Sequence, residues 1–278
     1  MSEWLDFLRE EGKSENTIKS YGAQLLLFER WFKDSNIEEL TPERVTSIDL
    51  REYMSYLKNV EGKKARTINL MFSAIRSWLV YNNQVIKVPK AVKVTSSAPR
   101  SLTRIEQNAL MRAVERADDL KGLAVITFLK NTGLRLSEAV ALNIEDLQIA
   151  ERSGKVLVRH GKGMKEREVP LNGEARRVLK AYLNNRTKGP VFLSQKGNLR
   201  LSNSGIYQLV VKYAYQSKIG ELHPHTLRHT FAKNLLEAGE DLGTIAVLLG
   251  HENINTTVVY TRPTQEDLEK AVERLSDD

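Results

Sequence analysis

Apolar residues recur at steps of three and four along the first 84 residues, and polar residues fill the positions between them. This period is that of an α-helix with one buried face. Ser14 or Asn16 can cap the second helix, and the pair Thr41-Pro42 is typical of a helix start. We therefore predict four helices, which the apolar positions place near 4–8, 18–32, 45–57 and 68–79.

Residues 86–101 interrupt this pattern with two prolines, three serines and several lysines, a composition typical of a linker. We place a first domain at 1–88, the linker at 89–101 and a second domain at 102–278. A basic linker can lie along the phosphates of a nucleic acid or can simply be solvated, and the sequence leaves both alternatives open.

Beyond residue 102 the helical period resumes, but short alternating runs interrupt it. Two of these runs, 155–159 and 166–169, flank a turn that contains glycine, which predicts a β-hairpin. A third strand is predicted at 191–193. The remaining segments predict helices from 101 or 103 to 117, at 120–132, 174–183, 204–217, 227–238 and 242–248, near 256, and in an amphipathic tail at 265–275. The expected fold is mainly α with two domains, the first helical and the second mixed α-helical with a small antiparallel β-sheet.

The charge is unevenly distributed along the chain. The net charge is +7 and the isoelectric point is about 9.4. Residues 100–262 hold 25 lysines and arginines against 16 acidic residues, whereas the tail 263–278 holds 2 against 6. A positive field of this kind favours a polyanionic partner, and the acidic tail fits a protein partner better than a nucleic acid.

The composition also excludes several kinds of site. The chain has no cysteine, so disulfides, thiolate metal sites and cysteine nucleophiles are ruled out. Its first residues are acidic and amphipathic, with no apolar signal-peptide core, and no apolar run approaches the length of a membrane span. We expect a soluble, cytoplasmic protein without a membrane partner.

One group of residues in the second domain suits phosphate chemistry. His225 and Arg228 lie three residues apart, on one face of a helix, and the free amides of a nearby helix N-terminus would add an anion site. His229 is expected to point elsewhere. The alternative is that His225 caps the helix and Arg228 forms a surface ion pair.

Three further residues extend this group. Arg135 begins a helix with Glu138 one turn on, which is either an ordinary ion pair or an orienting contact for a phosphate-binding arginine. Lys162 lies between two glycines of the predicted hairpin turn. It can donate a proton or can simply be an exposed residue of the turn, and Lys165 is a competing candidate for the proton donor. Tyr260 can act as a nucleophile or be one of the structural tyrosines.

A metal site is the competing interpretation of the histidines. Four of the five lie in this region, and histidine is the commonest zinc ligand. The chain nevertheless lacks cysteine and any His-Glu-x-x-His pattern, and Pro224 separates His223 from His225 awkwardly for joint ligation. We predict no metal.

The chain resembles the tyrosine recombinase (phage integrase) family over nearly its whole length. The resemblance is carried by six residues in a fixed order, namely Arg135, Lys162, His225-x-x-Arg228, His251 and Tyr260. The supporting segments are Thr-Gly-Leu-Arg-Leu-Ser-Glu at 132–138, Gly-Lys-Gly-Met-Lys at 161–165, His-Thr-Leu-Arg-His-Thr-Phe-Ala at 225–232 and Leu-Leu-Gly-His-Glu-Asn-Ile-Asn-Thr-Thr-Val-Val-Tyr at 248–260. The compact length is most similar to the Xer branch, which resolves chromosome dimers.

The resemblance implies a mechanism for these residues. Tyr260 would attack a DNA phosphate and form a 3′-phosphotyrosyl bond, while Arg135 and Arg228 hold the phosphate oxygens. Lys162 would protonate the leaving 5′ oxygen, His225 would assist proton transfer at the tyrosine, and His251 would hydrogen-bond the phosphate. No metal and no cofactor is implied, because the phosphotyrosyl bond retains the energy for religation.

The resemblance also implies partners and an assembly. A SAM-like four-helix core-binding domain and the catalytic domain would enclose double-stranded DNA at a specific site, close to the nucleoid. Four protomers would assemble on two sites, with the tail helix either exchanged between protomers or folded back on its own domain. In the first domain the residues that resemble the family's major-groove reader are Lys63, Lys64, Arg66, Asn69, Ser73 and Arg76. The alternatives are a plasmid or phage integrase, a type IB topoisomerase-like enzyme with the same chemistry, and a non-catalytic DNA-binding protein.

Overall fold

The structure is a computed structural model that describes residues 1–94, 98–159, 166–194, 199–251 and 253–261, together with 268, 269 and 272. The chain divides into two compact units, Met1–Ser96 and Ser97–Asp278. The predicted fold class is confirmed: the chain is mainly helical, and its sheet is small and antiparallel.

The first unit contains four α-helices around an aromatic-rich core. The helices are α1 (Ser2–Glu10), α2 (Glu15–Asn36), α3 (Ser47–Asn59) and α4 (Ala65–Tyr81). Of the two predicted caps for α2, Ser14 is the one used, since its hydroxyl accepts from the amide of Thr17. Fully buried Trp4, Phe28 and Tyr53 form part of the core that holds the four helices together.

The predicted helix start at Thr41-Pro42 is a short 3₁₀ turn, Pro42–Arg44, and not the beginning of α3. The helix itself begins five residues later, where Thr46 and Asp49 cap each other's backbone amides. A reciprocal cap satisfies two of the free amides, whereas Thr41 makes no side-chain cap.

The second unit contains eight α-helices and one sheet within its described part. Its helices are α5 (Arg104–Arg116), α6 (Leu120–Thr132), α7 (Leu136–Ala141), α8 (Gly173–Leu183), α9 (Asn203–Gln216), α10 (Pro224–Glu237), α11 (Leu242–Leu249) and α12 (Asn255–Val258). Helix α6 is buried along most of its length and packs against α8, α10 and α5. It is the central element on which the site helices rest.

The sheet has the antiparallel order β1-β2-β3, with β1 (Leu147–Ile149), β2 (Gly154–Val158) and β3 (Arg167–Pro170). Strands β2 and β3 are the predicted hairpin, and Val156 pairs with Val169 in its buried centre. The predicted third strand at 191–193 is wrong, because among the described residues that segment forms one isolated bridge, between Leu193 and Arg200. The third strand is β1, whose three residues are too few to show an alternating pattern.

The candidate residues of the second domain lie near the ends of two helices and the beginning of a third. Gly133 ends α6 and Gly250 ends α11, both with positive φ. Pro224 begins α10, three residues before the predicted start, because a proline at the first helical position has no amide to leave unpaired. None of the described helices is both long and apolar enough to cross a lipid bilayer.

Candidate active site

Arg135 lies at the N-terminus of α7, directly after the turn that ends α6. Its Nη1 donates to Oε1 of Glu138 at 2.9 Å, and its Nη2 donates to the carbonyl of Gly250 at 3.0 Å. The Arg135 amide also donates to Glu138, at 2.9 Å. The guanidinium is thus fixed between the α6–α7 turn and the end of α11, with 27% of its side chain exposed.

Arg228 is buried on α10, with only 4% of its surface exposed. Its guanidinium donates to the carbonyl of Gly133 at 2.7 Å and to the carbonyl of Leu249 at 2.8 Å. Both acceptors are neutral, and burial together with the Arg135 charge lowers the Arg228 pKa to about 10, against a smaller opposing effect of Glu138. The group remains cationic at neutral pH, and a buried cation without a bonded carboxylate is prepared to receive an anion.

Tyr260 lies in the 3₁₀ turn after α12 and packs against the small cluster of Ala232, Ile245 and Leu249. Burial raises the pKa of its phenol, while the positive charges of Arg228 and Arg135 act in the opposite direction. Within one chain the tyrosine is therefore close enough to both arginines for their charges to act on its phenol.

The histidine bonded to the phenol is His229. Its Nδ1 lies 2.9 Å from Oη of Tyr260, and the two ring centroids are 5.5 Å apart. The prediction that His229 points elsewhere is wrong. The error is one of helical spacing, since His229 lies four residues after His225 and therefore on the same face of α10.

The other two histidines surround this pair. His251 stacks against Tyr260 at 6.5 Å between centroids, and its Nδ1 lies 2.8 Å from the hydroxyl of buried Thr257. Burial, followed by the Arg228 and Arg135 charges, lowers the His251 pKa to about 4. His225 lies one turn before His229 and makes no hydrogen bond to another described residue. Partial desolvation, followed by the Arg228 charge, lowers its pKa.

A third arginine, Arg167 on β3, completes the support of the site. Its Nη1 and Nη2 donate to the two oxygens of Glu138 at 3.0 Å and 2.7 Å, and its Nε donates to the carbonyl of Leu248 at 3.1 Å. No pattern in the sequence indicates this role, because an arginine in a short strand is usually solvated. Glu138, which the sequence marked as a partner of Arg135, is shared by the two arginines.

Several predicted residues lie outside the described part of the chain. Both lysine candidates, Lys162 and Lys165, fall in the segment 160–165. Of the tail helix predicted at 265–275, only residues 268, 269 and 272 are described, in helical conformation. Among the described residues, no group of three or more acidic or histidine side chains is arranged to hold a metal ion.

The six predicted DNA-contacting residues lie on α4 or just before it. Lys63, Lys64, Arg66 and Arg76 are exposed. The side-chain amide of Asn69, however, is bonded to the backbone of Val92. Its Nδ2 donates to the Val92 carbonyl at 2.9 Å, and its Oδ1 accepts from the Val92 amide at 2.8 Å. The Ser73 hydroxyl donates to the Asn69 carbonyl at 2.8 Å. Asn69 thus anchors the start of the interdomain segment to α4.

Comparison with known proteins agrees with this geometry. Residues 100–267 match the phage integrase family, and residues 1–84 match the SAM-like N-terminal domain of phage integrases. The tyrosine recombinase XerA of Pyrococcus furiosus is 32% identical over 283 residues, covering 99% of this chain and 93% of the relative. The TnP I resolvase of Bacillus thuringiensis is 30% identical, with 97% of each chain covered.

Among solved structures, the XerH site-specific recombinase bound to palindromic difH substrate, in a post-cleavage complex, has a TM-score of 0.76. It is 23% identical, and the match covers 92% of this chain and 78% of that one. This likeness concerns the fold, whereas the family matches cover most of the sequence. The chain therefore belongs to the phage integrase family, the tyrosine recombinases that cleave and rejoin DNA.

Proposed function

We propose that this chain is a site-specific recombinase whose nucleophile is Tyr260. The observation that carries the proposal is the nearness of the phenol to the charge of Arg228, a buried cation whose hydrogen-bond acceptors among the described residues are carbonyl oxygens. A scissile phosphate diester would supply the anion that Arg228 lacks. Binding it there places the phosphorus next to the tyrosine oxygen.

The chemistry is a displacement at phosphorus. The oxygen of Tyr260 forms a bond to phosphorus as the bond to the 5′ oxygen breaks, which leaves a 3′-phosphotyrosyl link and a 5′-hydroxyl. Arg135 and Arg228 neutralise the non-bridging oxygens, whose charge grows in the transition state. The tyrosyl ester conserves the bond, so the reverse reaction with another 5′-hydroxyl rejoins the strand.

The remaining roles follow from the family resemblance. Lys162 is proposed as the acid that protonates the leaving 5′ oxygen, and His225 as a residue that assists proton transfer at the tyrosine. His251 is proposed to donate to the phosphate. Its Nδ1 is occupied by Thr257, which leaves Nε2 as the available nitrogen.

We propose double-stranded DNA as the partner, contacted by both domains, 1–88 and 102–278, and bound as a tetramer on two sites. The exposed Lys63, Lys64, Arg66 and Arg76 would meet phosphates and base edges, and the net charge of +9 over 100–262 supports the same partner. The acidic tail 265–275 is proposed to dock into a neighbouring protomer. The protein would act in the cytoplasm, at the nucleoid.

Resolution of chromosome dimers at a dedicated site is the proposed biological role, supported by full-length similarity to Xer recombinases of comparable length. A role in a mobile element is the second candidate, which the equally complete match to a TnP I resolvase favours. Deletion of the gene separates the two roles. Loss of dimer resolution produces filamented cells with unsegregated chromosomes, whereas loss of an element's resolvase leaves division normal.

A nicked suicide substrate tests the reaction itself. The broken strand diffuses away, so the covalent adduct accumulates and mass analysis identifies the peptide that carries it. We expect DNA on the peptide that contains Tyr260. Tyr260→Phe should bind DNA with unchanged affinity and form no adduct. An adduct on a different residue would refute the assignment, and relaxation of supercoils without exchange between two sites would favour the topoisomerase-like alternative.

A further inference from the structure

The hydroxyl of Tyr260 has one hydrogen-bond partner among the described residues, and it is the imidazole of His229. The Nδ1–Oη distance of 2.9 Å is that of a normal hydrogen bond. The contact joins the middle of α10 to the 3₁₀ turn that carries Tyr260, and both side chains are partly buried. The two ring planes are tilted by 54° to each other.

The neighbouring histidines do not occupy this position. The His251 ring is nearly parallel to the phenol ring, with 6.5 Å between the centroids, and its Nδ1 is hydrogen-bonded to the hydroxyl of Thr257. His225 is one turn away along α10, with its ring centroid 6.5 Å from that of His229. His229 is therefore the imidazole in contact with the atom that reacts.

The surroundings of this hydrogen bond determine the protonation states of its two groups. On α10, His225 and Arg228 face His229, and Arg135, Glu138, Arg167 and His251 approach the same space from the adjoining elements. Burial, then the His225 and Arg228 charges, lowers the His229 pKa to about 4, and burial raises the Tyr260 pKa. At neutral pH a neutral imidazole thus faces a protonated phenol, and in the Nε2–H tautomer of His229 the phenol donates and Nδ1 accepts.

We propose that His229 orients the Tyr260 hydroxyl and accepts its proton as the oxygen attacks phosphorus. This inference rests on the proposed function of the site. The O–H bond of Tyr260 breaks, the oxygen forms its bond to phosphorus, and the proton moves to Nδ1 of His229. The bond from phosphorus to the 5′ oxygen breaks with its electron pair on that oxygen, which the general acid protonates. In religation, His229 returns the proton to the phenol.

The bound phosphate makes this transfer conditional on DNA. Without it, a proton on His229 would lie beside the uncompensated charge of Arg228, which disfavours the imidazolium. A phosphate diester bonded to Arg135 and Arg228 brings one negative charge into the same space and offsets that repulsion. His229 therefore leaves the phenol protonated in the unbound protein and becomes a better base once the substrate is in place.

Three substitutions at position 229 test the proposal on the nicked suicide substrate. Asparagine places an acceptor near the position of Nδ1 but cannot take a proton, glutamine places its amide near Nε2, and phenylalanine removes the hydrogen bond. General-base catalysis contributes about 10²–10⁴-fold. We expect His229→Gln and His229→Phe to form adduct about 100-fold or more slowly, with the DNA dissociation constant within twofold of the wild-type value.

The conservative variant and the pH profile distinguish proton transfer from packing. His229→Asn should restore part of the rate, and the acid limb of the wild-type pH–rate profile should be missing from it. His223→Gln is the matched control, because His223 contacts Tyr207 and not the tyrosine nucleophile. It should react at the wild-type rate with the wild-type profile. If the glutamine or phenylalanine variant fails to fold, as judged by circular dichroism, the asparagine variant decides.

A second substrate locates the defect. A 5′-bridging phosphorothiolate has a leaving group that needs no protonation, so a loss confined to attack by Tyr260 should persist with it. If this substrate restores a His229 variant to the wild-type rate, His229 acts in protonation of the leaving 5′ oxygen, and the proposal is wrong. A glutamine variant with an unchanged rate and profile would also overturn it. Failure of the proposed function has a different signature, namely an adduct that forms in Tyr260→Phe.

Discussion

Arg167 and Glu138 form a two-pronged ion pair in the interior of the second unit. Nη1 and Nη2 of Arg167 meet the two oxygens of Glu138 at 3.0 Å and 2.7 Å, and the side chains are 11% and 2% exposed. The same carboxylate receives Arg135. One negative charge thus holds two arginines, so this cluster keeps a net positive charge next to Arg228.

Loss of Arg167 should destabilise the second unit. Arg167→Met leaves the buried Glu138 carboxylate with Arg135 as its main partner, and breaking a buried pair costs about 3–5 kcal/mol. We expect a loss near the lower end, about 3 kcal/mol, because Arg135 remains. Urea unfolding of the full chain, followed by fluorescence and circular dichroism, measures it. Adduct formation should also slow, since Arg135 loses its fixed orientation.

The double variant Arg167→Met/Glu138→Gln serves as the control. The double variant no longer buries a carboxylate that has lost one of its two arginines, so it should unfold at a higher urea concentration than Arg167→Met alone. Equal stability of the single and double variants would show that the pair contributes nothing beyond packing.

Acid should weaken the second unit before its carboxylates titrate. The pKa values of His229 and His251 are about 4 in the folded protein and about 6.5 when exposed. Between these values the unfolded chain binds more protons than the folded one, so stability falls as pH drops through this range. We expect the free energy of unfolding to decrease from pH 6.5 to pH 5, and to decrease less in His229→Gln and His251→Gln.

Protonation of Glu138 affects the stability of the fold at a lower pH than protonation of the histidines does. Burial tends to raise its pKa, but hydrogen bonds from Arg167 and from the Arg135 backbone outweigh burial and lower it. A carboxyl with a depressed pKa stabilises the fold above its unfolded pKa, and that contribution disappears as pH falls further. The decrease between pH 6.5 and 5 is therefore a histidine effect. His223→Gln should leave it unchanged, and a flat wild-type profile in this range would contradict the prediction.

Gly250 should not tolerate a side chain. It ends α11 with φ of 65°, its carbonyl accepts from Arg135, and a Cβ would lie 2.7 Å from Nη1 of Arg167. Gly250→Ala should therefore cost well over 1 kcal/mol and should slow adduct formation by displacing Arg167. Gly239→Ala is the matched control, since Gly239 has φ of 91° but nothing within 4 Å of an added Cβ. It should cost about 1 kcal/mol, by backbone strain alone, and should leave the reaction unchanged.

The spacing of apolar residues predicted the helices because most of them bury one face against a core. A buried helical face requires an apolar residue at every third or fourth position. It failed for β1, which has three residues, and for 191–193, whose apolar residues are buried without pairing in a sheet. Helix starts were misplaced where the competing caps differ by a few residues, as at Thr41 and Thr46.

Arg135, Arg228, His251 and Tyr260, which the sequence motifs single out, lie close together in the folded chain. Not all of the contacts that hold them were predictable from the sequence. Arg167 reaches Glu138 only because the fold brings the start of β3 close to α7, a tertiary relationship that no local spacing records. His229, in contrast, was available from the sequence. Its spacing from His225 puts it on the helical face that carries the site.

Orthovanadate, a mimic of phosphate in displacement, should stabilise the protein through Arg228. Binding to the folded state alone adds RT ln(1 + [L]/Kd), about 1.4 kcal/mol at ten times Kd, which corresponds to roughly 3–5 °C in melting temperature. Arg228→Lys should lose this shift because lysine cannot form the two-pronged contact. Arg116→Lys, a change at an exposed arginine of α5, should keep it. Equal shifts in both variants would place the anion elsewhere.

Arg66 and Asn69 lie one turn apart on α4 but should fail in different ways. Arg66 is exposed, so Arg66→Ala should weaken DNA binding and reduce the slope of log K against log salt by about 1, as loss of one phosphate contact requires. Asn69 holds both backbone groups of Val92, so Asn69→Ala should lower the stability of the first unit by about 1–3 kcal/mol and leave the slope unchanged. Fluorescence anisotropy from low to physiological salt, paired with urea unfolding, measures both quantities. A reduced salt slope in Asn69→Ala with normal stability would mean that its amide leaves Val92 to contact DNA.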